Sequence, residues 1–189
     1  MTAAVSVLGF SGSLRKGSFN AAVLRAAVEL TPVDMRLETF DLHGIPLYDS
    51  DVEAAGLPDT VQRFRERIGA ADALLIVTPE YNYSMAGVLK NAIDWASRPP
   101  DQPFRGKPVA IAGASMGGFG TARAQYHLRQ TCVYLEMIPL NKPEVFVSGA
   151  HQKVDAEGRL TDEPSRAAIR ALLDALAAWT RRVGRGSGG

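Results

Sequence analysis

A short loop rich in serine and glycine carries the side chains best suited to binding an anion. Residues 12–20 follow an apolar run typical of a buried strand and precede a run typical of a helix. Free backbone N–H groups and the positive end of a helix dipole converge at such a junction. Hydroxyl donors come from Ser11, Ser13 and Ser18, and Arg15 adds a cation. The loop therefore predicts a phosphate site.

The composition of this loop favours a single terminal phosphate over a triphosphate. Gly12 and Gly17 have the spacing of a Walker loop, but Ser18 stands where that loop needs its lysine. The Gly-x-Gly-x-x-Gly fingerprint of dinucleotide sites is absent from the loop as well. FMN carries one such terminal phosphate, and a hydroxyl-rich loop with one arginine suits it. The alternative interpretation is a plain strand-to-helix turn with a serine cap.

Aromatic and polar residues fill a second loop, residues 78–84. It leaves the apolar run 73–77, which is typical of a central parallel strand buried on both faces. An isoalloxazine ring needs a flat apolar surface and a few polar groups at its pyrimidine edge. The candidates for these contacts are Pro79, Glu80, Tyr81, Asn82 and Tyr83.

Each residue of the second loop also has a structural interpretation. The tyrosines could pack against a neighbouring helix, and Asn82 and Ser84 could cap the helix predicted at residues 84–97. Glu80 could be a solvated loop charge or a carboxylate buried between subunits. The sequence leaves these alternatives open.

A third loop, residues 114–120, contains three glycines directly after a predicted strand. Glycine lets a flat ring approach the backbone closely, because it has no side chain. The candidates here are Ser115, Met116, Gly117 and Gly118. The alternative is a flexible loop without a ligand.

The pattern of the whole chain places the three loops at one edge of a sheet. Strands are predicted at residues 3–9, 35–40, 73–77, 108–113 and 144–147. Helices are predicted at residues 19–30, from 58, and at 84–97, 119–135 and 163–183. This alternation predicts an α/β fold with a five-stranded, doubly wound parallel sheet of order 2-1-3-4-5, the flavodoxin-like arrangement. Ligands of such sheets bind beyond the carboxyl ends of the strands, where all three loops begin.

Length, charge and cysteine usage narrow the class of protein. The 189 residues predict one domain at 1–183, followed by a disordered glycine-rich tail at 184–189. A net charge of +1 gives no basis for nucleic-acid binding, and no apolar run is long enough to span a membrane. The single cysteine, Cys132, excludes an intrachain disulfide and a cysteine-based metal site, and fits a cytoplasmic protein. We therefore predict no bound metal.

Four segments together resemble the NADPH-dependent FMN reductase family, and within it the branch of bacterial chromate and quinone reductases. They are residues 12–20, 78–84, 89–95 and 125–130, and the resemblance runs from about residue 4 to residue 150. The resemblance implies tightly bound FMN, with contacts to its phosphate from Ser13, Arg15, Ser18 and Asn20 and with Phe19 in the same loop. It further implies that the second loop lines the flavin and that the third loop closes over it.

The same resemblance implies an activity and an assembly. NADPH or NADH donates a hydride to the flavin, and quinones, with chromate as a further acceptor, are then reduced in a two-electron ping-pong cycle. We predict no catalytic side chain, because the cofactor carries the chemistry. The resemblance also implies dimers that often pair into tetramers. The candidate contacts are aromatic residues of helix 119–135 and a pair between Arg123 and Glu144 beside Tyr126.

Two other functions stay open from the sequence. The chain could be an electron carrier of the flavodoxin type, although such carriers are typically acidic and this chain is nearly neutral. It could also be a flavin-binding regulatory protein. Steady-state oxidation of NAD(P)H separates both alternatives from a reductase.

Overall fold

The computed structural model describes residues 3–186 of the chain. The strands are β1 (Val5–Ser11), β2 (Met35–Phe40), β3 (Ala73–Val77), β4 (Glu80–Tyr81), β5 (Ser84–Met85), β6 (Pro108–Ala114), β7 (Ile138–Pro139) and β8 (Val145–Val147). The helices are α1 (Phe19–Glu29), α2 (Ser50–Ala55), α3 (Asp59–Ala70), α4 (Gly87–Ala96), α5 (Ala122–Tyr134) and α6 (Glu163–Gly186).

Six of these strands form a parallel sheet in the order β2-β1-β3-β6-β7, in which β8 also pairs with β6. Strand β1 aligns its last residue, Ser11, with Val77 of β3, and Val77 in turn aligns with Ala112 of β6. The three central strands thus end side by side. Their carboxyl ends place the loops after residues 11, 77 and 114 next to one another.

Alternate residues of the central strands face two separate hydrophobic cores. Leu74 and Ile76 of β3 face the core formed with α3, α4 and α5. Leu75 and Val77 face the core formed with α1 and α6. Strand β3 is buried along its whole length because helices cover both faces of the sheet, as its continuous apolar run predicts.

The predicted flavodoxin-like order is confirmed, but the predicted strand count is not. The last position of the sheet is divided between β7 and β8, which both pair with β6, so the main sheet has six strands rather than five. Pro143 lies in the gap between them, and proline has no N–H to give to a ladder. Strand β7 is short and was not predicted.

Several helix boundaries also differ from the prediction. Helix α4 begins at Gly87 rather than at residue 84, because residues 80–85 form a separate antiparallel hairpin, β4-β5. The short helix α2, capped by the carboxylate of Asp49, lies in the segment expected to be a loop. Helix α6 continues to Gly186, into the segment expected to be disordered, and residues 187–189 lie outside the described residues. Within residues 3–186, no helix is long and apolar enough to cross a membrane.

Candidate functional site

A cavity of about 410 Å³ opens at the carboxyl ends of β1, β3 and β6. This volume lies within the usual range for small-molecule sites. All three predicted loops contribute to its wall, together with the start of α5. The lining residues are Ser13, Arg15, Ser18, Phe19, Asn20, Pro79, Glu80, Tyr81, Ala114, Ser115, Met116, Gly117, Phe119, Gly120 and Arg123.

One end of the cavity has the donors that a phosphate needs. Ser18 caps α1, and its buried hydroxyl oxygen accepts from the N–H groups of Asn20 (3.2 Å) and Ala21 (3.3 Å). The hydroxyl hydrogen of Ser18 is therefore left to donate to a ligand. The backbone N–H groups of residues 14–17 and of Phe19 have no hydrogen-bond partner within the described chain. They lie at the positive end of the α1 dipole.

Arg15 supplies the cation at this end of the cavity. Its exposed guanidinium lies over the Phe19 ring, 5.1 Å from the ring centroid. Gly12, which leads into this loop, packs against the neighbouring loop and α4. A Cβ atom at Gly12 would lie 2.9 Å from the Cβ atom of Leu89 and 3.3 Å from the Cδ atom of Pro79. The absence of a side chain at Gly12 thus lets the first two loops approach.

Asn20 has a structural role that the sequence did not reveal. Its side-chain amide donates to the carbonyl of Ala114 (2.9 Å) and accepts from the N–H of Ala114 (2.8 Å). The side chain lines the cavity, but it also ties the first turn of α1 to the last residue of β6. We therefore describe Asn20 as a clamp between the first and third loops, with one amide hydrogen left over for a ligand.

The second loop is a tight hairpin rather than a helix cap. Asn82 and Tyr83 form its turn and both have positive φ, at 50° and 67°. A bulky residue rarely takes this left-handed conformation. Ser84 does not cap α4, whose N-cap residue is Ala86 and has no side-chain cap bond. The Ser84 hydroxyl lies 3.0 Å from Nδ1 of His127 on α5 instead.

Glu80 fixes this hairpin to α5. Its carboxylate, with only 7% of the side chain exposed, accepts from the backbone N–H groups of Arg123 (3.0 Å) and Ala124 (3.3 Å). It therefore caps α5 from another loop, since the helix's own cap residue, Thr121, makes no such bond. The other carboxylate oxygen accepts from Nε of Arg123 at 2.6 Å. Glu80 is thus buried within one chain, an alternative that the sequence did not suggest.

The third loop is ordered by its own hydrogen bonds. The hydroxyl of Ser115 donates to the carbonyl of Gly120, and the N–H of Gly120 donates to the carbonyl of Gly117 (3.3 Å). The N–H of Ser115 donates to the carbonyl of Val147 on β8. Gly120 has a φ of 58° and packs so closely on Phe146 that an added Cβ atom would lie 2.9 Å from the Phe146 Cβ atom.

The structure brings most of the predicted site residues to this cavity. Four of them do not line it, namely Ser11, Asn82, Tyr83 and Gly118. Ser11 accepts a hydrogen bond from the N–H of Ser13, and the Tyr83 ring lies against the guanidinium of Arg123. Four lining residues were not predicted, namely Ala114, Phe119, Gly120 and Arg123. Only the glycine-rich composition of the third loop gave a signal for any of them.

Cys132 lies outside the cavity, on the buried face of α5 in the core. Burial raises the pKa of its thiol to about 12. The thiol therefore stays protonated, and it is not an activated nucleophile. Among the residues that the structure describes, no group of three or more His, Cys, Asp and Glu side chains is placed to hold a metal ion.

Comparison with known proteins identifies this arrangement. The sequence model of the NADPH-dependent FMN reductases matches residues 5–152, which hold the complete cavity wall. The chain belongs to this family. It is therefore an oxidoreductase with FMN and NAD(P)H as its cofactors.

Several known proteins match nearly the whole chain. An NAD(P)H-dependent FMN reductase of Pseudomonas aeruginosa is 64% identical over 179 residues, covering 95% of this chain and 97% of that protein. A quinone reductase of Escherichia coli is 46% identical over 186 residues, covering 97% and 99%. The solved structure of a flavoenzyme NAD(P)H:(acceptor) oxidoreductase from Paracoccus denitrificans has a TM-score of 0.85 at 34% identity, covering 94% and 98%.

Proposed function

We propose that the protein catalyses the two-electron reduction of quinones by NAD(P)H, with FMN held in the cavity. The observation that carries this proposal is the set of free N–H groups at the start of α1, beside Ser18 and Arg15. They suit one terminal phosphate. The quinone reductase among the relatives supports the choice of acceptor.

The remaining cavity wall fits a flat ring beyond the phosphate. Pro79 and Tyr81 offer apolar surface, and the third loop offers Met116 and a wall of glycine backbone. Ser115 is occupied in holding this loop closed, so it acts by shaping the wall. The cavity is thus polar at one end and largely apolar along its sides, as the phosphate and ring of FMN require.

The protein's part in the reaction is to bind, orient and exclude water. When bound, FMN supplies the two-electron redox chemistry that side chains lack. In the net reaction NAD(P)H gives a hydride and becomes NAD(P)⁺, and the quinone takes that hydride and one proton to become a quinol. We propose a ping-pong order, in which donor and acceptor use the same face of the cavity in turn. Support for this order comes from the cavity to which all three loops contribute.

Anaerobic stopped-flow absorbance tests this function. Excess NADH or NADPH should bleach the visible bands of the purified protein, and a quinone should then restore them. Chromate in place of the quinone tests the further acceptor that the resemblance implies. An electron carrier or a regulatory protein would keep its oxidised spectrum under excess NADH and NADPH, and that result would contradict the proposal.

The phosphate end can be tested separately with Arg15→Ala. We expect FMN to bind about 10- to 100-fold more weakly, because a charge-assisted hydrogen bond is lost. Riboflavin, which has no phosphate, should bind the variant and the unmodified protein alike. Fluorescence titration of the apo-protein with both ligands measures this difference. An equal loss for both ligands would show that Arg15 does not serve the phosphate.

We also propose that the chain forms dimers that pair into tetramers and that it resides in the cytoplasm. Support for assembly comes from the exposed apolar side chains of α5, which are Tyr126, Val133 and Tyr134. The predicted contact between Arg123 and Glu144 stays a prediction; within one chain, Arg123 pairs with Glu80, and Glu144 pairs with Lys142 at 2.6 Å. Arg123 also lines the cavity, so a charge reversal there would change the site as well as any contact between subunits. Light scattering at micromolar concentration measures the assembly.

A further inference from the structure

The cavity contains a second guanidinium that the binding of FMN phosphate does not use. Arg15 lies at the phosphate end, among the free N–H groups before α1. Arg123 reaches the same cavity from the first turn of α5, beside the hairpin. Since FMN has one phosphate, one cation is left for another ligand.

The guanidinium of Arg123 is held in place but only partly occupied. Its Nε atom donates to Glu80, and its plane lies against the Tyr83 ring, 3.8 Å from the ring centroid. The Phe119 ring lies 5.0 Å away. Its two terminal nitrogens make no hydrogen bond to any residue within the described part of the chain. About a third of the side chain (35%) is exposed, so these donors are accessible.

The charge of Arg123 is only partly compensated by Glu80. One carboxylate oxygen of Glu80 faces the guanidinium, while the other is taken by two backbone N–H groups at the positive end of the α5 dipole. The negative charge of Glu80, which also lines the cavity, is therefore shared between the guanidinium and the helix. A ligand beside the terminal nitrogens of Arg123 meets charged N–H donors that are free to form hydrogen bonds.

Aromatic and apolar side chains surround this edge of the cavity. Tyr81, Met116 and Phe119 line the wall, with exposed fractions of 52%, 62% and 71%. Such side chains favour a flat ring over a strongly hydrated ion. The surroundings of Arg123 therefore suit an aromatic ring that also carries a negative oxygen.

We propose that Arg123 is a substrate-binding residue that makes the enzyme prefer anionic quinones, such as ionised hydroxyquinones, over neutral ones. The terminal N–H groups of Arg123 donate to the oxyanion, while the ring of the substrate packs on the apolar wall. Glu80 and Tyr83 are positioning residues that hold the guanidinium in this orientation. This inference rests on the proposed function for the identity of the acceptor.

The test compares a hydroxynaphthoquinone that is ionised at neutral pH with its neutral O-methyl ether. The quantity measured is the ratio of kcat/KM for the two quinones, so their different intrinsic reactivities cancel between enzyme variants. We expect Arg123→Met to lower this ratio at least about tenfold, because a charge-assisted hydrogen bond is removed. Arg123→Lys should give an intermediate ratio, because it keeps the charge and loses the planar donor pair.

A matched control makes the same chemical change elsewhere. Arg105 precedes β6 at the opposite end of the sheet and pairs with Glu136 on the surface at 3.2 Å. Arg105→Met should leave the ratio unchanged. Since Arg123→Met leaves the buried Glu80 without its partner, the thermal midpoint of each variant is also measured, and Arg123→Lys serves as the variant that retains this pair.

A binding measurement supplies a readout that needs no turnover. Isothermal calorimetry gives the Kd of benzoate, an anionic ring that cannot be reduced, and of benzamide, its neutral counterpart. Arg123→Met should weaken the binding of benzoate at least about tenfold and should weaken the binding of benzamide much less. An unchanged quinone ratio together with unchanged benzoate binding would overturn the inference. So would a rise in KM for NADH and NADPH with no change in the ratio, because Arg123 would then bind the hydride donor.

The two proposals can fail independently. If the unmodified protein reduces neither of the two quinones with NAD(P)H, the proposed quinone reductase function is wrong. The benzoate titration still decides whether Arg123 is an anion-binding residue in that case.

Discussion

Replacement of Asn20 by alanine separates the two roles that this side chain could have, as a phosphate ligand or as a clamp. The amide of Asn20 forms hydrogen bonds of 2.9 and 2.8 Å with the carbonyl and N–H of Ala114, and the residue is 3% exposed. Without it, both backbone groups of Ala114 lose their partner inside the protein. We therefore expect Asn20→Ala to destabilise the fold even without any cofactor.

The magnitude follows from the number of groups left unpaired. A buried polar group that loses its hydrogen-bond partner costs about 1–3 kcal/mol. Two such groups would cost about 2–6 kcal/mol, and we expect about 3 kcal/mol because water can enter from the cavity side. This is a large part of the roughly 5–15 kcal/mol that stabilises a typical domain. With a urea dependence of about 1–3 kcal/mol per molar, the midpoint should fall by about 1–3 M.

Urea unfolding of the apo-protein, followed by circular dichroism, measures this loss without a contribution from bound flavin. Asn91→Ala is the matched control, because Asn91 also makes one donor bond, to the carbonyl of Pro46 (2.7 Å), and one acceptor bond, from the N–H of Tyr48 (2.8 Å). Asn91 is only half-buried, so water can replace its bonds. We expect the control to cost about 1 kcal/mol.

The two roles also differ in their effect on ligands. A clamp shapes the whole cavity, so its loss should weaken FMN and riboflavin alike. If Asn20→Ala unfolds at the same urea concentration as the unmodified protein and weakens FMN alone, then Asn20 is a phosphate ligand and the reasoning from the Ala114 bonds is refuted.

Two further predictions concern the core beside the site. Gly113→Ala should destabilise the protein by about 3 kcal/mol or more, because the new Cβ atom would lie 2.0 Å from Oγ1 of Thr121 and 2.3 Å from the carbonyl oxygen of Thr78. Gly69 lies on α3, where an added Cβ atom would meet no other atom within 4 Å, so Gly69→Ala should stabilise the protein by about 0.5–1 kcal/mol. The urea assay described above measures both variants, and equal effects of Gly113→Ala and Gly69→Ala would contradict the prediction. Cys132, whose pKa burial raises from 9.0 to about 12, should resist a thiol reagent at mildly alkaline pH until urea unfolds the chain. The thiol of the unfolded chain ionises at a lower pH than the buried thiol of the folded chain. The contribution of the buried thiol to stability is therefore complete below pH 9 and is lost as the pH rises towards 12. Cys132→Val should abolish this pH dependence.

The sequence predicts the sheet and its helices well because strong hydrophobic patterns specify them. The run at residues 73–77 is β3, buried on both faces, and the spacing of Val61, Phe64 and Ile68 places all three in the core. The weaker elements could not be predicted. Strand β7 has only two residues, and α2 buries none of its residues against the core, so neither leaves an apolar pattern.

The second loop shows why local patterns misjudge a site. Asn82 and Ser84 have the residue types of helix caps, and the sequence alone leaves open whether they cap a helix or contact the flavin. The hairpin forms instead because α5 supplies partners that lie far along the chain. Arg123 covers the Tyr83 ring and bonds to Glu80, and these contacts offset the cost of a left-handed tyrosine, about 1–2 kcal/mol. Contacts between residues about 40 positions apart leave no signal in either segment alone.

The same long-range contacts make the three loops one rigid unit. Asn20 joins the first loop to the end of β6, and Glu80 joins the second loop to α5, which follows the third. Gly12 and Gly113 let the neighbouring backbones approach closely enough for these bonds to form. A cavity held in this way needs little rearrangement to receive its ligand, so less binding energy is lost to ordering. The buried polar side chains around the cavity thus contribute to affinity even where they touch no ligand atom.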